Sequence, residues 1–205
     1  MTTSRDALNL IICGVGGQGN ILLSDLIGST LAKKGYHVTV AETFGVAQRG
    51  GAVFSSVRIS QNRACGPLIP EGKAHLVLGL EPLETLRTLQ KYGNPETVCV
   101  TNTYPLLPIG VLAGKEEYPD RDELKKTIKA LSKAAWFIDA TSIALELGVR
   151  IAANIVMLGA LISSGELPLT KKDIEDEMRD TFPPQRIELN IKALDLGASA
   201  LRSHN

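Results

Sequence analysis

The chain has 205 residues, of which 44% are hydrophobic, and its 22 Lys and Arg are balanced by 22 Asp and Glu. This length suits one domain with a substantial core, so residues 1–205 are assigned to a single domain. The balanced charge gives no support for a nucleic-acid or membrane partner.

Short apolar runs alternate with helical patterns along the first two thirds of the chain. Strands are predicted over residues 8–13, 36–41, 52–59, 76–80, 98–101 and 136–138, and helices over 20–34, 82–92 and 120–133. From residue 141 onward the pattern is helical, over 142–147 and 152–163, then after Thr170 and after Pro183-Pro184. We therefore predict an α/β fold with a doubly wound, mainly parallel, Rossmann-like sheet and a helical C-terminal part.

The first predicted strand runs directly into a glycine loop. Residues 10–20 read LIICGVGGQGN, which places Gly14, Gly16, Gly17, Gln18 and Gly19 between an apolar strand and a helical pattern. This order presents backbone N–H groups and a helix N-terminus to a phosphate. The spacing fits G-x-G-x-x-G and predicts an anionic ligand; the alternative is that the glycines serve only close packing of the turn.

A second glycine loop follows the second predicted strand and is expected at the same edge of the sheet. It contains Gln48, Arg49, Gly50 and Gly51, and Arg49 is a candidate anion contact because a guanidinium binds phosphate or carboxylate bidentately. Glu42 stands 23 residues after Gly19, near the position of the ribose-binding acid in dinucleotide folds. The alternatives are a solvated loop arginine and a solvent-facing acid.

Asn154 interrupts an otherwise apolar helical pattern, where an unpaired amide would cost about 1–3 kcal/mol. It therefore needs a hydrogen-bond partner, either a ligand or a nearby loop. No metal site is predicted, because the histidines and cysteines have no metal-ligand spacing. Cys13 and Cys99 end apolar strands and are predicted to be buried. Ser55 and Ser56 lack a glycine elbow, so no catalytic residue is assigned.

Residues 1–6 contain no apolar signal core, and the strongly apolar segment 151–163 is shorter than the roughly 20 residues that span a bilayer. The expected location is the cytoplasm.

Several of these motifs together resemble the gamma-type subunit or domain of the 2-oxoacid:ferredoxin oxidoreductases. The resemblance rests on residues 14–19, 47–51 and 57–58, and continues through 67–70, 79–84, 139–141, 153–154, 158–160 and 188–190. It covers nearly the whole chain. Within that family the combination is most similar to the small subunits of the indolepyruvate branch.

The resemblance implies a share in the oxidative decarboxylation of an aryl pyruvate, with coenzyme A accepting the acyl group and ferredoxin accepting the electrons. It places thiamine diphosphate and the iron–sulfur clusters on a large partner subunit, so this chain is not catalytic alone. The two glycine loops are then expected to face that partner and the coenzyme A phosphates. Two alternatives remain: a stand-alone module that binds NAD(P) or FAD, and a subunit that serves only for interaction.

Overall fold

A computed structural model describes residues 7–42, 50–107, 109–114 and 117–203. In this part of the chain the strands are β1 (Leu8–Val15), β2 (His37–Glu42), β3 (Ala52–Ser60), β4 (Leu76–Gly79), β5 (Val98–Asn102) and β6 (Ala134–Ile138). They form one sheet in the order β2-β3-β1-β4-β5-β6. The parallel pairs are β1 with β4, β4 with β5 and β5 with β6, whereas β3 is antiparallel to both β1 and β2. The prediction of a mainly parallel sheet is confirmed.

Helices cover both faces of the sheet. They are α1 (Asn20–Lys33), α2 (Pro82–Tyr92), α3 (Ile109–Leu112), α4 (Arg121–Ala130), α5 (Ala140–Glu146), α6 (Ala153–Ser163), α7 (Lys171–Thr181) and α8 (Pro184–Arg202), with a 3₁₀ turn at Arg150–Ala152. The larger core cluster joins β1, β4 and β5 to α1, α6 and α8, and the smaller one joins the opposite sheet face to α2 and α4. This arrangement leaves the carboxyl ends of β1, β4 and β5 to be covered by loops.

The capping residues that predicted the helix boundaries make the expected hydrogen bonds and turns in the structure. Asp120 accepts from the backbone N–H groups of Asp122 and Glu123 and so begins α4, while Thr170 and Asp173 form a capping box for α7. Gly35 takes a φ of 87° just after α1, where a left-handed residue ends a helix. The short helix α3 and the 3₁₀ turn carry too few residues for a periodic pattern and were not predicted.

The position of β3 is the main difference between the prediction and the fold. The chain between β2 and β3 consists of residues 43–51, which is shorter than the dozen or more residues that a parallel crossover requires. An antiparallel pairing of β2 with β3 therefore results. Strand β3 then lies between β2 and β1, so the first two strands of the chain are not neighbours in the sheet.

Candidate functional site

The first glycine loop lies at the carboxyl end of β1 and leads into α1. Gly17 and Gly19 have φ values of 102° and 89°, a left-handed region that is open to glycine and costly for other residues. Gly19 is the N-cap of α1, and neither a side-chain cap nor an acidic residue in the first turn compensates this helix end. The start of α1 therefore favours a negative charge.

Internal hydrogen bonds use several donors of this loop. The N–H of Val15 donates to Gln18 Oε1 at 2.7 Å, the N–H of Gly16 to the Gly51 carbonyl at 2.8 Å, and the N–H of Gln18 to the Val15 carbonyl at 3.2 Å. In the described part of the chain, the N–H groups of Gly17 and Gly19 donate no turn or cap hydrogen bond. These two glycines are thus the loop donors best placed for an external acceptor.

Gln18 fixes the shape of the loop. In addition to accepting from Val15, its side chain donates from Nε2 to the Leu80 carbonyl at 2.9 Å, which joins the loop to the end of β4. Gly14 lies within β1, and a Cβ built there would approach Gln18 Oε1 to 2.5 Å. Gly14 therefore leaves space for the Gln18 amide, and both residues stabilise the conformation of the loop.

The two glycine loops lie side by side. Besides the bond from Gly16 to Gly51, the N–H of Gly50 donates to the Gly16 carbonyl at 3.2 Å. This pairing confirms the prediction that both loops leave the same edge of the sheet, since β2 runs in the same direction as β1. Gln48 and Arg49 lie outside the described residues.

A cavity of about 320 Å³, called here the Glu42 cavity, opens on one side of the first loop. Glu42 lines this cavity, and its two carboxylate oxygens accept hydrogen bonds from the buried hydroxyls of Ser24 at 2.5 Å and Ser55 at 2.6 Å. The described lining residues are Gly16, Gly17, Gly19, Asn20, Ile21, Glu42, Val53, Phe54 and Ser55. Glu42 is thus held at the cavity wall, close to the start of α1.

The strand order argues against a dinucleotide bound in the usual way. In dinucleotide-binding folds the strand that carries the ribose acid is the direct neighbour of the strand before the glycine loop. Here β3 separates β2 from β1, which moves Glu42 away by one further strand spacing of about 4.8 Å. Glu42 and the glycine loop share a cavity, but not the spacing that this fold uses for a dinucleotide.

A second cavity of about 370 Å³, called here the Arg150 cavity, lies on the other side of the loop at the carboxyl ends of β1, β4 and β5. At these strand ends the order of the strands in the sheet reverses, which is the usual ligand position in open α/β sheets. It is lined by Gly16, Gly17, Gln18, Leu80, Asn102, Leu106, Thr141, Arg150, Ile151, Ala153, Asn154 and Met157.

Asn154 connects α6 to the first glycine loop. The side chain is 5% exposed, and its Oδ1 accepts from the backbone N–H of Ile155 at 2.8 Å. Its Nδ2 lies against Gly19, because a Cβ built on Gly19 would be 2.2 Å from that atom. The hydrogen-bond partner of Asn154 is therefore the backbone N–H of Ile155 on the oxygen side, and the Nδ2 group packs against Gly19 of the glycine loop.

Arg150 and Thr141 are site residues that the sequence reasoning missed. Arg150 precedes α6 and places its guanidinium carbon 5.2 Å from the centre of the Tyr104 ring. Thr141 accepts from Asn102 Nδ2 at 3.0 Å, and Asn102 Oδ1 accepts from the N–H of Ala140 at 3.2 Å. No spacing motif links these residues in the sequence, because the end of β5, the start of α5 and the 3₁₀ turn before α6 bring them together.

Glu81 is a fully buried carboxylate at the start of α2. Its Oε2 accepts from the N–H of Glu84 at 2.9 Å, and its Oε1 accepts from the Tyr118 hydroxyl at 2.5 Å. Burial raises the pKa of Glu81, and burial together with the bond to Glu81 raises the pKa of Tyr118. Glu81 lines neither cavity, so we assign it the role of capping α2 and holding Tyr118 in place.

The cysteines do not form a metal-binding group. Cys13 and Cys99 are buried in the smaller core cluster, as predicted, and burial raises the pKa of Cys13 to about 12. Burial also raises the pKa of Cys99. Across the described ranges, no cluster of three or more His, Cys, Asp or Glu side chains could hold a metal ion.

Within the same ranges, none of the helices combines the length and the apolar character needed to cross a bilayer.

Comparison with known proteins gives consistent sequence matches. A family model described as pyruvate ferredoxin/flavodoxin oxidoreductase matches residues 9–200. Indolepyruvate oxidoreductase subunit IorB from Archaeoglobus fulgidus is 38% identical over 190 residues, with 93% of each chain covered. IorB from Methanothermobacter thermautotrophicus is 37% identical over 192 residues, covering 94% of this chain and 96% of the relative.

Solved structures share the fold at lower sequence identity. The gamma subunit of a keto/oxoacid ferredoxin oxidoreductase from Geobacter sulfurreducens superimposes with a TM-score of 0.66 at 22% identity, covering 96% of this chain and 99% of that one. Pyruvate oxidoreductase subunit PORC from Thermotoga maritima gives a TM-score of 0.70 at 19% identity, with 96% and 97% covered.

Proposed function

Because the chain belongs to the pyruvate ferredoxin/flavodoxin oxidoreductase family, we infer that it is the small subunit of a 2-oxoacid:ferredoxin oxidoreductase, and we propose that the oxoacid is an aryl pyruvate such as indolepyruvate. Relatives named indolepyruvate oxidoreductase subunit IorB are 35–38% identical to the chain over more than nine tenths of its length. The matched common gamma subunit of pyruvate/ketoisovalerate oxidoreductases is only 26% identical. This difference favours the aryl substrate.

The observation that carries the role of this chain is the pairing of its two glycine loops beside the uncapped start of α1. Gly17 and Gly19 present backbone N–H groups there, and Gly50 and Gly51 bring the second loop against Gly16. A helix N-terminus with bare backbone donors is suited to a phosphate. We propose that these loops, with Gln48 and Arg49, face the phosphates of coenzyme A and the surface of the catalytic subunit.

We propose further that thiamine diphosphate and the iron–sulfur clusters reside on a large partner subunit, which passes electrons to ferredoxin. Cys13 and Cys99 do not fit a cluster, because both are buried in the apolar core with raised pKa values. Cluster ligands are thiolates that must converge on the metal. This chain would then bind anions, help to close the site and exclude water, while the partner carries the redox chemistry.

Co-expression with a candidate large subunit that carries thiamine diphosphate and iron–sulfur motifs tests the assembly. We expect a stable complex that oxidises indolepyruvate in the presence of coenzyme A and reduces ferredoxin, and we expect little turnover from either chain alone. A chain that never associates with a thiamine-dependent partner, or a complex that turns over no 2-oxoacid, would contradict the proposal. A complex that prefers pyruvate or 2-oxoglutarate would contradict the aryl assignment alone.

Arg49→Ala in that complex tests the role of the second loop. Loss of a guanidinium contact to a phosphate costs about 1.5–3 kcal/mol, so we expect the KM for coenzyme A or the subunit dissociation constant to rise about tenfold or more. The iron content should not change. Arg186→Ala, which removes an exposed arginine at the start of α8, is the matched control. Unchanged kinetics together with unchanged subunit affinity would refute this role of Arg49.

Calorimetry on the isolated chain separates the proposal from the dinucleotide alternative. We expect no tight binding of NAD(H), NADP(H) or FAD, because β3 displaces Glu42 from the position of a ribose acid. Low-micromolar nicotinamide binding that Glu42→Gln abolishes would favour a stand-alone dinucleotide module instead. A chain that binds none of these nucleotides or coenzyme A, yet purifies with the thiamine enzyme, would indicate a subunit that serves only for interaction.

A further inference from the structure

The exposed large hydrophobic side chains of the described residues are concentrated at one edge of the sheet. Five of them belong to segments at the carboxyl ends of the parallel strands, and they are Ile21, Tyr104, Leu107, Leu112 and Ile151. The other two are Leu68 and Leu145. Exposed apolar side chains that occur singly need no explanation, but a concentration of them marks an interaction surface.

Two segments meet at this edge. One leaves the carboxyl end of β5, and the other is the 3₁₀ turn before α6. The ring of Tyr104 lies 5.2 Å from the guanidinium carbon of Arg150, the residue before Ile151. Leu106 and Ile151 also line the same cavity. These contacts place the two segments side by side, and we use the name apolar rim for Tyr104, Leu107, Leu112 and Ile151.

The rim is strongly exposed. Leu112 and Ile151 are 67% and 68% exposed, and Tyr104 and Leu107 are each 39% exposed. Burial of such apolar surface against a partner is favourable, and aromatic and aliphatic side chains form the centres of protein interfaces. The rim therefore has the composition of a docking surface.

The amino ends of β5 and β6 have a different character. Glu96 and Lys133, which precede these two strands, form an exposed ion pair at 3.1 Å. Leu68 lies toward the same edge, because its carbonyl accepts from Arg58, whose Nε donates to Asn9 at the start of β1. The concentration of exposed apolar residues thus distinguishes the carboxyl edge from the amino edge.

Two relatives contain this fold as one part of a longer chain. Ketoisovalerate oxidoreductase subunit VorA from Methanothermobacter marburgensis is 25% identical over 195 residues, covering 94% of this chain and 36% of the relative. A 2-oxoglutarate:ferredoxin oxidoreductase from Magnetococcus marinus shares the fold with a TM-score of 0.71 at 21% identity, over 97% of this chain and 32% of that one. Domains joined in one chain pack through interfaces that resemble those between subunits. A face that packs against the rest of the enzyme is therefore expected on this fold.

We propose that the apolar rim is the surface on which the large catalytic subunit packs, with an apolar surface of its own. This inference rests on the proposed function and extends it, because that proposal placed only the two glycine loops against the partner. The rim continues from the first loop, since Gly16, Gly17 and Ile151 line one cavity. Burial of the rim stabilises the complex, while the surface around Leu68 stays outside this contact.

Binding of the full chain to the large subunit tests the rim. Leu112→Ser and Ile151→Ser each remove an apolar side chain that is about two thirds exposed, so folding should be little affected. We expect the double variant to raise the subunit Kd about tenfold or more, mainly through faster dissociation. Surface-immobilised large subunit and optical detection of bound small subunit give both rate constants.

Leu68→Ser is the matched control, because it removes a 73% exposed leucine that lies outside the rim. We expect it to leave the subunit Kd unchanged. Ile151→Val keeps most of the apolar side chain and should retain most of the affinity. Circular dichroism and urea midpoints of the isolated variants separate a loss of binding from a loss of folding.

The rim assignment is overturned if the double variant binds the large subunit as tightly as the parent chain, or if Leu68→Ser weakens binding as much. It is also overturned if ultracentrifugation shows a dimer of the parent chain that the double variant loses while its Kd for the large subunit is unchanged. The occupant would then be a second copy. A parent chain that binds no thiamine-dependent subunit contradicts the proposed function as well, whereas parent binding with unaffected rim variants contradicts the rim alone.

Discussion

Replacement of Gly19 by alanine tests the contact between the first glycine loop and α6. Gly19 has a φ of 89° and a ψ of 29°, where a side chain costs about 1–2 kcal/mol. In addition, the new Cβ would lie 2.2 Å from Asn154 Nδ2, so the buried amide would have to move. Overpacking of this kind typically costs about 1–3 kcal/mol. We expect Gly19→Ala to lower the free energy of unfolding by about 2–5 kcal/mol in total.

Gly17→Ala is the matched control, because Gly17 also has a positive φ, of 102°, but its Cβ would meet nothing within 4 Å. It carries the backbone strain without the clash, so its loss should be only about 1–2 kcal/mol. Urea unfolding followed by circular dichroism measures both values. The difference between the two variants is the energy of the clash with Asn154.

A double-mutant cycle completes the test. Asn154→Ala removes Nδ2 and Cγ and leaves the Asn154 Cβ at 3.8 Å from the new methyl group, an ordinary contact distance. Gly19→Ala should therefore cost less in the Asn154→Ala background, with a coupling of about 1–3 kcal/mol. Equal losses for Gly17→Ala and Gly19→Ala, together with strictly additive effects, would refute the reasoning.

Two further predictions concern the core. Gly197→Ala in α8 would place a Cβ 1.8 Å from the Val156 carbonyl of α6, so we expect a lower urea midpoint, whereas a higher midpoint from helix propensity alone would contradict the close packing. At pH 8, Cys65 should react with a thiol reagent well before Cys13, because Cys13 is buried and its pKa of about 12 keeps it protonated. Equal rates in the folded chain would contradict this. The raised pKa also makes the free energy of unfolding depend on pH. The contribution of Cys13 to stability is full below the ordinary thiol pKa of 9.0 and is lost as pH rises toward about 12.

Much of the fold could be predicted because the local signals are strong. The strands β4 and β5 are buried at every position, and β4 and residues 98–100 of β5 appear in the sequence as continuous apolar runs. Caps such as Asp120 and Thr170 mark helix starts by hydrogen bonds to residues two or three positions away. The position of β3 was not predicted, because pairing partners depend on the length of the connection and on the sheet as a whole.

The candidate site divides in the same way. The glycine loop, its position after β1 and the start of α1 behind it follow from consecutive residues, since backbone freedom and helix capping are local properties. The sequence also contained Asn154, whose polarity in an apolar helix required a partner. These features, with the family resemblance, were available from the sequence alone.

Tertiary structure alone decided what each loop residue contacts. Residues from distant parts of the chain meet only when α6 packs against the sheet, as when Asn154 reaches Gly19 and Arg150 joins Leu80 and Asn102 around one cavity. The insertion of β3 likewise sets the distance between Glu42 and the glycine loop. Side-chain chemistry is encoded by single positions, but the convergence of donors on one cavity depends on packing between elements that no local pattern specifies.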